Sequence, residues 1–121
     1  KYDVNAMVHN TGGGLTKCLR VGSRIHYIKD NLPEPDPIFA IIKRESNTYW
    51  EEMFTDFNMG VGYELIVKRE VAEDIIGIAE SFNLGACVIG RCERSRGPNK
   101  LTVRSKHGTF VYTRRSTRWR P

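Results

Sequence analysis

The sequence has no apolar run near the roughly 20 residues that a membrane-spanning helix needs, and no signal sequence at its start. It contains only three cysteines, Cys18, Cys87 and Cys92, which lack the close paired spacing of a zinc or redox motif. On a regular strand Cys87 and Cys92 face opposite sides, so they cannot bind one metal ion together. We therefore predict free thiols, no metal site, no membrane partner and a cytoplasmic location.

The charge is nearly balanced except at the carboxyl end. Lysine and arginine outnumber aspartate and glutamate by 19 to 14, but the last nine residues contain no acid and four arginines: Arg114, Arg115, Arg118 and Arg120. A nucleic-acid-binding face needs clustered basic charge, so the remaining 15 basic and 14 acidic residues argue against a nucleic-acid partner. We predict one domain over residues 1–112 and a mobile basic tail over residues 113–121, with a weak anion-binding arm as the alternative for the tail.

Three consecutive glycines, Gly12, Gly13 and Gly14, follow an apolar stretch and precede a short predicted helix. Glycine loses the most backbone entropy on folding, so such a run indicates a backbone conformation that side chains would forbid. Bare amides can approach a ligand closely, and beside a helix start they favour phosphate or carboxylate. His9 and Thr11 add a ring nitrogen and a hydroxyl to the same loop. The pattern predicts an anion-binding loop, although glycine runs also make simple turns.

A second segment strengthens this interpretation. Residues 9–14 read His-Asn-Thr-Gly-Gly-Gly, and residues 57–62 read Phe-Asn-Met-Gly-Val-Gly. The pair resembles aminoimidazole ribonucleotide synthetase, also called phosphoribosylformylglycinamidine cyclo-ligase. The C-terminal domain of that family carries His-x-Thr-Gly-Gly-Gly and a later Phe-Asn-x-Gly-x-Gly. The resemblance extends over most of residues 4–112, and sister families such as selenophosphate synthetase do not match the first motif.

The sequence also departs from the family pattern. Thr55 and Asp56 stand where an arginine is often found, and Tyr63 stands where methionine is common. A substrate contact by that arginine therefore does not carry over. The chain is far shorter than the family enzyme, and we expect its nucleotide-binding half to be supplied elsewhere.

The resemblance implies which residues form the site. A ribonucleotide pocket would be lined by Thr11, Gly12, Gly13, Gly14, Asn58, Gly60 and Gly62. His9 would be the catalytic residue, donating a hydrogen bond or moving a proton. Other interpretations remain open: a histidine satisfied by neighbouring backbone at position 9, and a helix stop followed by a closely packed strand at residues 58–62.

The family reaction closes an imidazole ring on formylglycinamidine ribonucleotide after ATP has phosphorylated its amide oxygen. The resemblance implies ATP and magnesium in the complete enzyme, bound mainly outside this chain, with none bound by this chain alone. The isolated chain is then expected to be inactive. The implied partners are the ribonucleotide substrate and an N-terminal nucleotide-binding domain in cis or in trans, and homodimerisation is left open. The alternative is a stand-alone, non-catalytic anion-binding or nucleotide-binding module.

Periodicity and turn residues predict strands over residues 4–8, 25–28, 61–67, 86–93, 101–104 and 109–112, and helices over 15–19, 38–45, 49–55 and 71–82. His26 falls in a strand and His107 in a hairpin turn. Neither has a second metal-binding residue at the sequence spacing of a known metal site. A connection through one helix predicts that strands 61–67 and 86–93 are parallel neighbours. The mixture of strands and helices, like the resemblance, predicts an α+β fold in which helices pack on a mixed β-sheet.

Overall fold

A computed structural model describes residues 2–114. Its elements are β1 (Val4–His9), the 3-10 helix η1 (Gly14–Arg20), β2 (Ile25–Lys29), α1 (Pro37–Ser46), α2 (Trp50–Asp56), β3 (Tyr63–Val67), α3 (Arg69–Ser81), β4 (Gly90–Arg94), β5 (Lys100–Ser105) and β6 (Gly108–Thr113). The predicted α+β class is confirmed. The predicted basic tail lies outside the described residues from position 115 onward.

The strands form two separate sheets. A four-stranded sheet has the order β4-β2-β5-β6, in which β2 and β5 are parallel and the other neighbours are antiparallel. A two-stranded antiparallel sheet joins β1 to β3. The prediction that the strands on either side of α3 are parallel neighbours is therefore wrong. The crossover rule applies to strands of one sheet, whereas here β3 pairs with β1 and β4 pairs with β2.

The strand predicted over residues 86–93 begins only at Gly90. Its partner β2 ends at Lys29, and that residue is paired with Gly90. The carbonyl of Ile89 still accepts hydrogen bonds from the amides of Asp30 and Asn31, at 3.1 and 3.0 Å. Pairing therefore stops where β2 stops, and residues 86–88 are exposed.

The hydrophobic core joins the four-stranded sheet to η1 and α2. Its buried members are Leu15, Cys18, Leu19, Tyr27, Met53, Phe54, Met59, Val61, Leu101, Val103 and Tyr112. Three of them come from η1, and Gly14 and Thr16 of the same helix are also buried, so packing against the rest of the core stabilises this seven-residue 3-10 helix. Burial of η1 in turn anchors the carboxyl end of the glycine loop.

The side chain of Asn99 fixes the connection between η1 and β2. Its Nδ2 atom lies 3.0 Å from each of the carbonyl oxygens of Leu19, Val21 and Gly22. Its Oδ1 atom accepts a hydrogen bond from the amide of Ile25 at 3.0 Å. One buried amide thus satisfies backbone groups that the end of a short helix leaves without partners.

Helix α3 has the predicted amphipathic pattern, but none of its residues is buried. Ile78 is 46% exposed, and Phe82, just after the helix, is 74% exposed. The described part of the chain therefore leaves much of this apolar face uncovered.

Candidate functional site

The structure brings the two motif segments together. β1 ends and β3 begins at a pair of facing residues, His9 and Tyr63. Directly beyond that pair, the backbone amide of Asn10 donates to the carbonyl of Gly62 at 2.9 Å. The glycine loop and the turn that precedes β3 are thus neighbours, although about fifty residues separate them in the sequence.

All three loop glycines have positive φ angles, 59° at Gly12, 105° at Gly13 and 52° at Gly14. Gly14 is buried, and a Cβ atom there would lie 2.8 Å from the carbonyl oxygen of Phe54 and still closer to that of Phe57. Gly12 is exposed and Gly13 half-buried, and neither would bring a Cβ into a close contact. Within residues 2–114, the amides of Gly12 and Gly13 find no hydrogen-bond acceptor. Gly14 is therefore required by packing, whereas Gly12 and Gly13 leave two amides available.

The two polar side chains predicted to flank the loop are both exposed. The His9 ring stacks on the Tyr63 ring, with centroids 5.3 Å apart and planes 23° from parallel. The carbonyl of Thr11 accepts a hydrogen bond from Lys17 Nζ at 2.8 Å. Lys17 is a further residue in contact with the loop, and sequence reasoning missed it. The sequence did contain a signal: Lys17 comes three residues after Gly14, which is one turn of a 3-10 helix, so its side chain lies on the same side of the helix as the end of the loop.

The turn before β3 is held by its own asparagine. The Oδ1 atom of Asn58 accepts from the amide of Gly60 at 2.8 Å, and its carbonyl accepts from Val61 at 2.9 Å. Gly60 has a φ of 92° and Gly62 is exposed. Asn58 therefore shapes the turn, and contact of these residues with a substrate stays a prediction.

A buried polar trio, Asn10, Lys29 and Glu64, lies against the base of the loop. Lys29 Nζ is 2.6 Å from Glu64 Oε2, and the two side chains are only 4% and 7% exposed. Lys29 Nζ also donates to the carbonyl of Leu15 at 2.9 Å. Asn10 Nδ2 donates to Glu64 Oε2 at 2.7 Å and to the carbonyl of Val61 at 2.8 Å. Four parts of the chain, the loop, η1, β2 and β3, therefore meet at one buried ion pair.

Sequence reasoning missed this trio. The alternation over residues 61–67 predicts a strand, but the apolar side chains of Tyr63 and Leu65 are 54% and 43% exposed, while Glu64 faces inward. Successive side chains of a strand point to opposite faces, so a half-buried strand has one inner face. In β3 the charged side chain of Glu64 lies on that inner face. Pattern alone gives no reason to place glutamate there, because its partner Lys29 comes from another strand.

Cys18 lies next to the trio, and its Sγ atom is 3.6 Å from the carbonyl of Leu15. Burial raises the pKa of this thiol to about 11, with the nearby Lys29 ammonium opposing the shift. The group is therefore a neutral core thiol at physiological pH and not a nucleophile.

A cleft of about 390 Å³ borders the turn on another side. Met59, Pro35 and Arg104 line it, and none of the loop glycines does. His107 also lines it and stacks face to face on Trp50, with centroids 3.6 Å apart. The cleft and the glycine loop are thus distinct features of the surface.

Across the described ranges, no three side chains of histidine, cysteine, aspartate or glutamate are grouped so as to hold a metal ion. Among residues 2–114 there is also no helix long and apolar enough to cross a membrane.

Comparison with known proteins gives a consistent result. The family model described as AIR synthase related protein, C-terminal domain, matches residues 1–99. A phosphoribosylformylglycinamidine cyclo-ligase of Methanocaldococcus jannaschii is 47% identical over 89 residues, which cover 74% of this chain and 25% of that protein. Proteins of the same name from Methanococcus maripaludis and Methanobrevibacter smithii are 42% and 32% identical, over 86% and 92% of this chain and 30% and 31% of their own lengths.

The chain spans about a quarter to a third of the length of these relatives. The family match contains both motif segments and the contact between them. This chain therefore belongs to the AIR synthase related family, and it corresponds to the C-terminal domain of that family.

Proposed function

We propose that this chain is the C-terminal, substrate-binding portion of an ATP-dependent cyclo-ligase that converts formylglycinamidine ribonucleotide to aminoimidazole ribonucleotide in purine biosynthesis. One observation carries the proposal: the hydrogen bond from the Asn10 amide to the Gly62 carbonyl, at 2.9 Å, joins the start of the glycine loop to the second motif. The amides of Gly12 and Gly13, which follow Asn10 in the same loop, have no acceptor within residues 2–114. The names of the relatives, all cyclo-ligases, support the reaction class.

In this proposal the amides of Gly12 and Gly13 donate to an oxygen of the ribonucleotide, and the exposed hydroxyl of Thr11 adds a third donor. Lys17 Nζ, held 2.8 Å from the Thr11 carbonyl, places a positive charge beside them. Fixed donors and charges stabilise an anion without having to reorganise when it binds. Asn58, Gly60 and Gly62 form the facing wall, where the absence of side chains at the glycines leaves room for the sugar.

His9 has the role of hydrogen-bond donor or proton carrier. Its ring lies at the exposed end of β1, and stacking on Tyr63 restricts its orientation. A ring held in this way can present one nitrogen toward the loop while the other faces water. Ring closure moves protons from the attacking nitrogen, which is the step that such a group assists.

The resemblance to the cyclo-ligases implies ATP and magnesium for the complete enzyme, and this chain spans only about a quarter to a third of such a protein. We assign both mainly to a nucleotide-binding domain, in cis or in trans, and we propose that the assembled enzyme works in the cytoplasm. The surface that carries His9 and the loop is exposed, as a site shared between two domains requires.

A direct test is calorimetric titration of the purified 121-residue chain with ribose 5-phosphate, together with amide NMR. We expect binding, with the largest shifts at Gly12 and Gly13. Gly13→Val is a poor probe, because φ is 105° at that position and any side chain strains it. Lys17→Met is preferable and should weaken binding about tenfold through loss of one charge-assisted contact. Lys43→Met, whose ammonium lies over Trp50, is the matched control and should bind like the parent.

A second experiment tests catalysis. The isolated chain should show no ATP-dependent ring closure, and mixing it with the remaining portion of the Methanocaldococcus jannaschii relative should restore turnover. Sugar phosphate binding without turnover in that mixture would favour the stand-alone binding module. Absence of binding, or equal weakening by both lysine substitutions, would contradict the site.

A further inference from the structure

We propose that the buried polar trio, Asn10, Lys29 and Glu64, positions the glycine loop for ligand binding and is not needed to stabilise the fold. The inference rests on the proposed function, because it names residues that prepare the same loop to bind a ribonucleotide. None of the three is expected to touch the ligand.

The composition of the trio argues against a purely structural role. Removing two opposite charges from water costs much of what their attraction returns, so apolar side chains of similar volume often replace a buried ion pair without loss of stability. Here the pair is surrounded by core residues such as Leu15 and Cys18, which are 0% exposed. A fold that needed only packing at this point would be served equally well by two hydrocarbon side chains.

The hydrogen bonds of the trio fall at both ends of the loop. Asn10 Nδ2 ties the amino end to Glu64 and to the Val61 carbonyl, and Lys29 Nζ ties the carboxyl end to the Leu15 carbonyl. Residues 11–14 lie between these two anchors. Both anchors converge on Glu64 Oε2, which accepts from Asn10 at 2.7 Å and from Lys29 at 2.6 Å.

Anchoring both ends of the loop limits the conformational freedom of its three glycines. Glycine has the widest choice of backbone conformations, so a free loop would sample many in which its amides diverge. Ordering such a loop on binding weakens affinity, and holding it in the bound form beforehand restores the affinity. The trio fixes the ends of the loop without occupying the amides of Gly12 and Gly13.

The decisive variant is the double substitution Lys29→Met with Glu64→Leu in the full chain. Replacing both partners leaves no unpaired buried charge at these positions, so the midpoint of urea unfolding should stay close to that of the parent. Binding of ribose 5-phosphate should nevertheless weaken about tenfold. Backbone ¹⁵N relaxation should show lower order parameters at Gly12 and Gly13 than in the parent. If the trio only stabilised the fold, a variant with the stability of the parent would also keep the affinity and the loop order of the parent.

The matched control is the exposed pair Lys106 and Glu34, joined at 2.7 Å and away from the loop. Lys106→Met with Glu34→Leu should change neither binding nor loop order. If the first double variant fails to fold, Asn10→Ala removes only the side-chain hydrogen bonds at the amino end of the loop, keeps the backbone hydrogen bond to Gly62, and should also lower the loop order.

The outcomes separate this inference from the proposed function. If the parent chain binds no sugar phosphate, the proposed function fails, while the order parameters still decide whether the trio holds the loop. Parent-like order at Gly12 and Gly13 in the folded double variant or in Asn10→Ala would overturn the inference, whatever the affinity.

Discussion

Gly14 lies against Phe54 so closely that a Cβ atom on the glycine would be 2.8 Å from the phenylalanine carbonyl oxygen. This contact packs the end of the glycine loop onto the end of α2. It also distinguishes Gly14, which packing requires, from Gly12 and Gly13, where a Cβ atom would meet no close contact.

We expect Gly14→Ala to be far more damaging than Gly12→Ala. Both positions have positive φ, near 50–60°, which costs an alanine about 1–2 kcal/mol. Only at Gly14 does the new methyl group meet backbone oxygens, and such overpacking adds roughly 1–3 kcal/mol. Urea unfolding of the two variants measures the difference in free energy of unfolding. Equal losses would show that Gly14 does not pack as described.

Asn99→Leu should lower the free energy of unfolding by about 2–3 kcal/mol, because backbone groups of η1 and β2 lose partners inside the protein. Asn31→Leu is the comparison. The Asn31 side chain is exposed and donates once, to the Val88 carbonyl at 2.6 Å, so its loss should cost less than about 1 kcal/mol. Similar losses in the two variants would be inconsistent with the role given to Asn99.

His26 and His107 should titrate below the ordinary histidine value. Burial lowers the pKa of both rings, and Lys100 beside His26 and Lys106 beside His107 lower it further. The unfolded chain therefore takes up protons first as the pH falls through about 6.5, and the folded state loses stability below that pH. The loss continues until the pH passes below the folded pKa values.

NMR titration of the two ring C–H signals tests these directions. The difference in unfolding free energy between pH 7.5 and pH 5.5 should shrink in a His26→Gln, His107→Gln double variant. Ring signals that titrate above 6.5 would contradict the expected shifts.

The three thiols should react with iodoacetamide at different rates. Cys87 is exposed and should react first. Cys92 is also exposed, but partial burial of its thiol raises the pKa, so its reaction should be slower. Cys18 is buried and should react only after unfolding. Mass-spectrometric mapping at pH 8 checks the order, and labelling of native Cys18 as fast as Cys87 would show that η1 is not packed as described.

Local patterns predicted most of the elements, because turn residues and periodicity are local signals. The loop Gly12–Gly14 and the turn around Asn58 were both predicted in this way. The hairpin of β5 with β6 was also predicted and is confirmed. The pairing of distant strands was not predicted, since nothing in residues 61–93 indicates that β3 and β4 belong to different sheets. The burial of Glu64 could not be predicted either, because its buried charge is compensated by Lys29, which lies on another strand.

The parallel pairing of β2 with β5 sets the order in which the protein can form. Ile28 faces Thr102 in that pair, so the middle of the larger sheet has to wait for chain that is made more than seventy residues later. During synthesis the larger sheet can therefore be completed only after β5 has been made, and long-range pairing of this kind slows folding. A ribosome-bound nascent chain stopped just before Lys100 would expose the unpaired edge of β2, the point at which a chaperone or a wrong strand would bind.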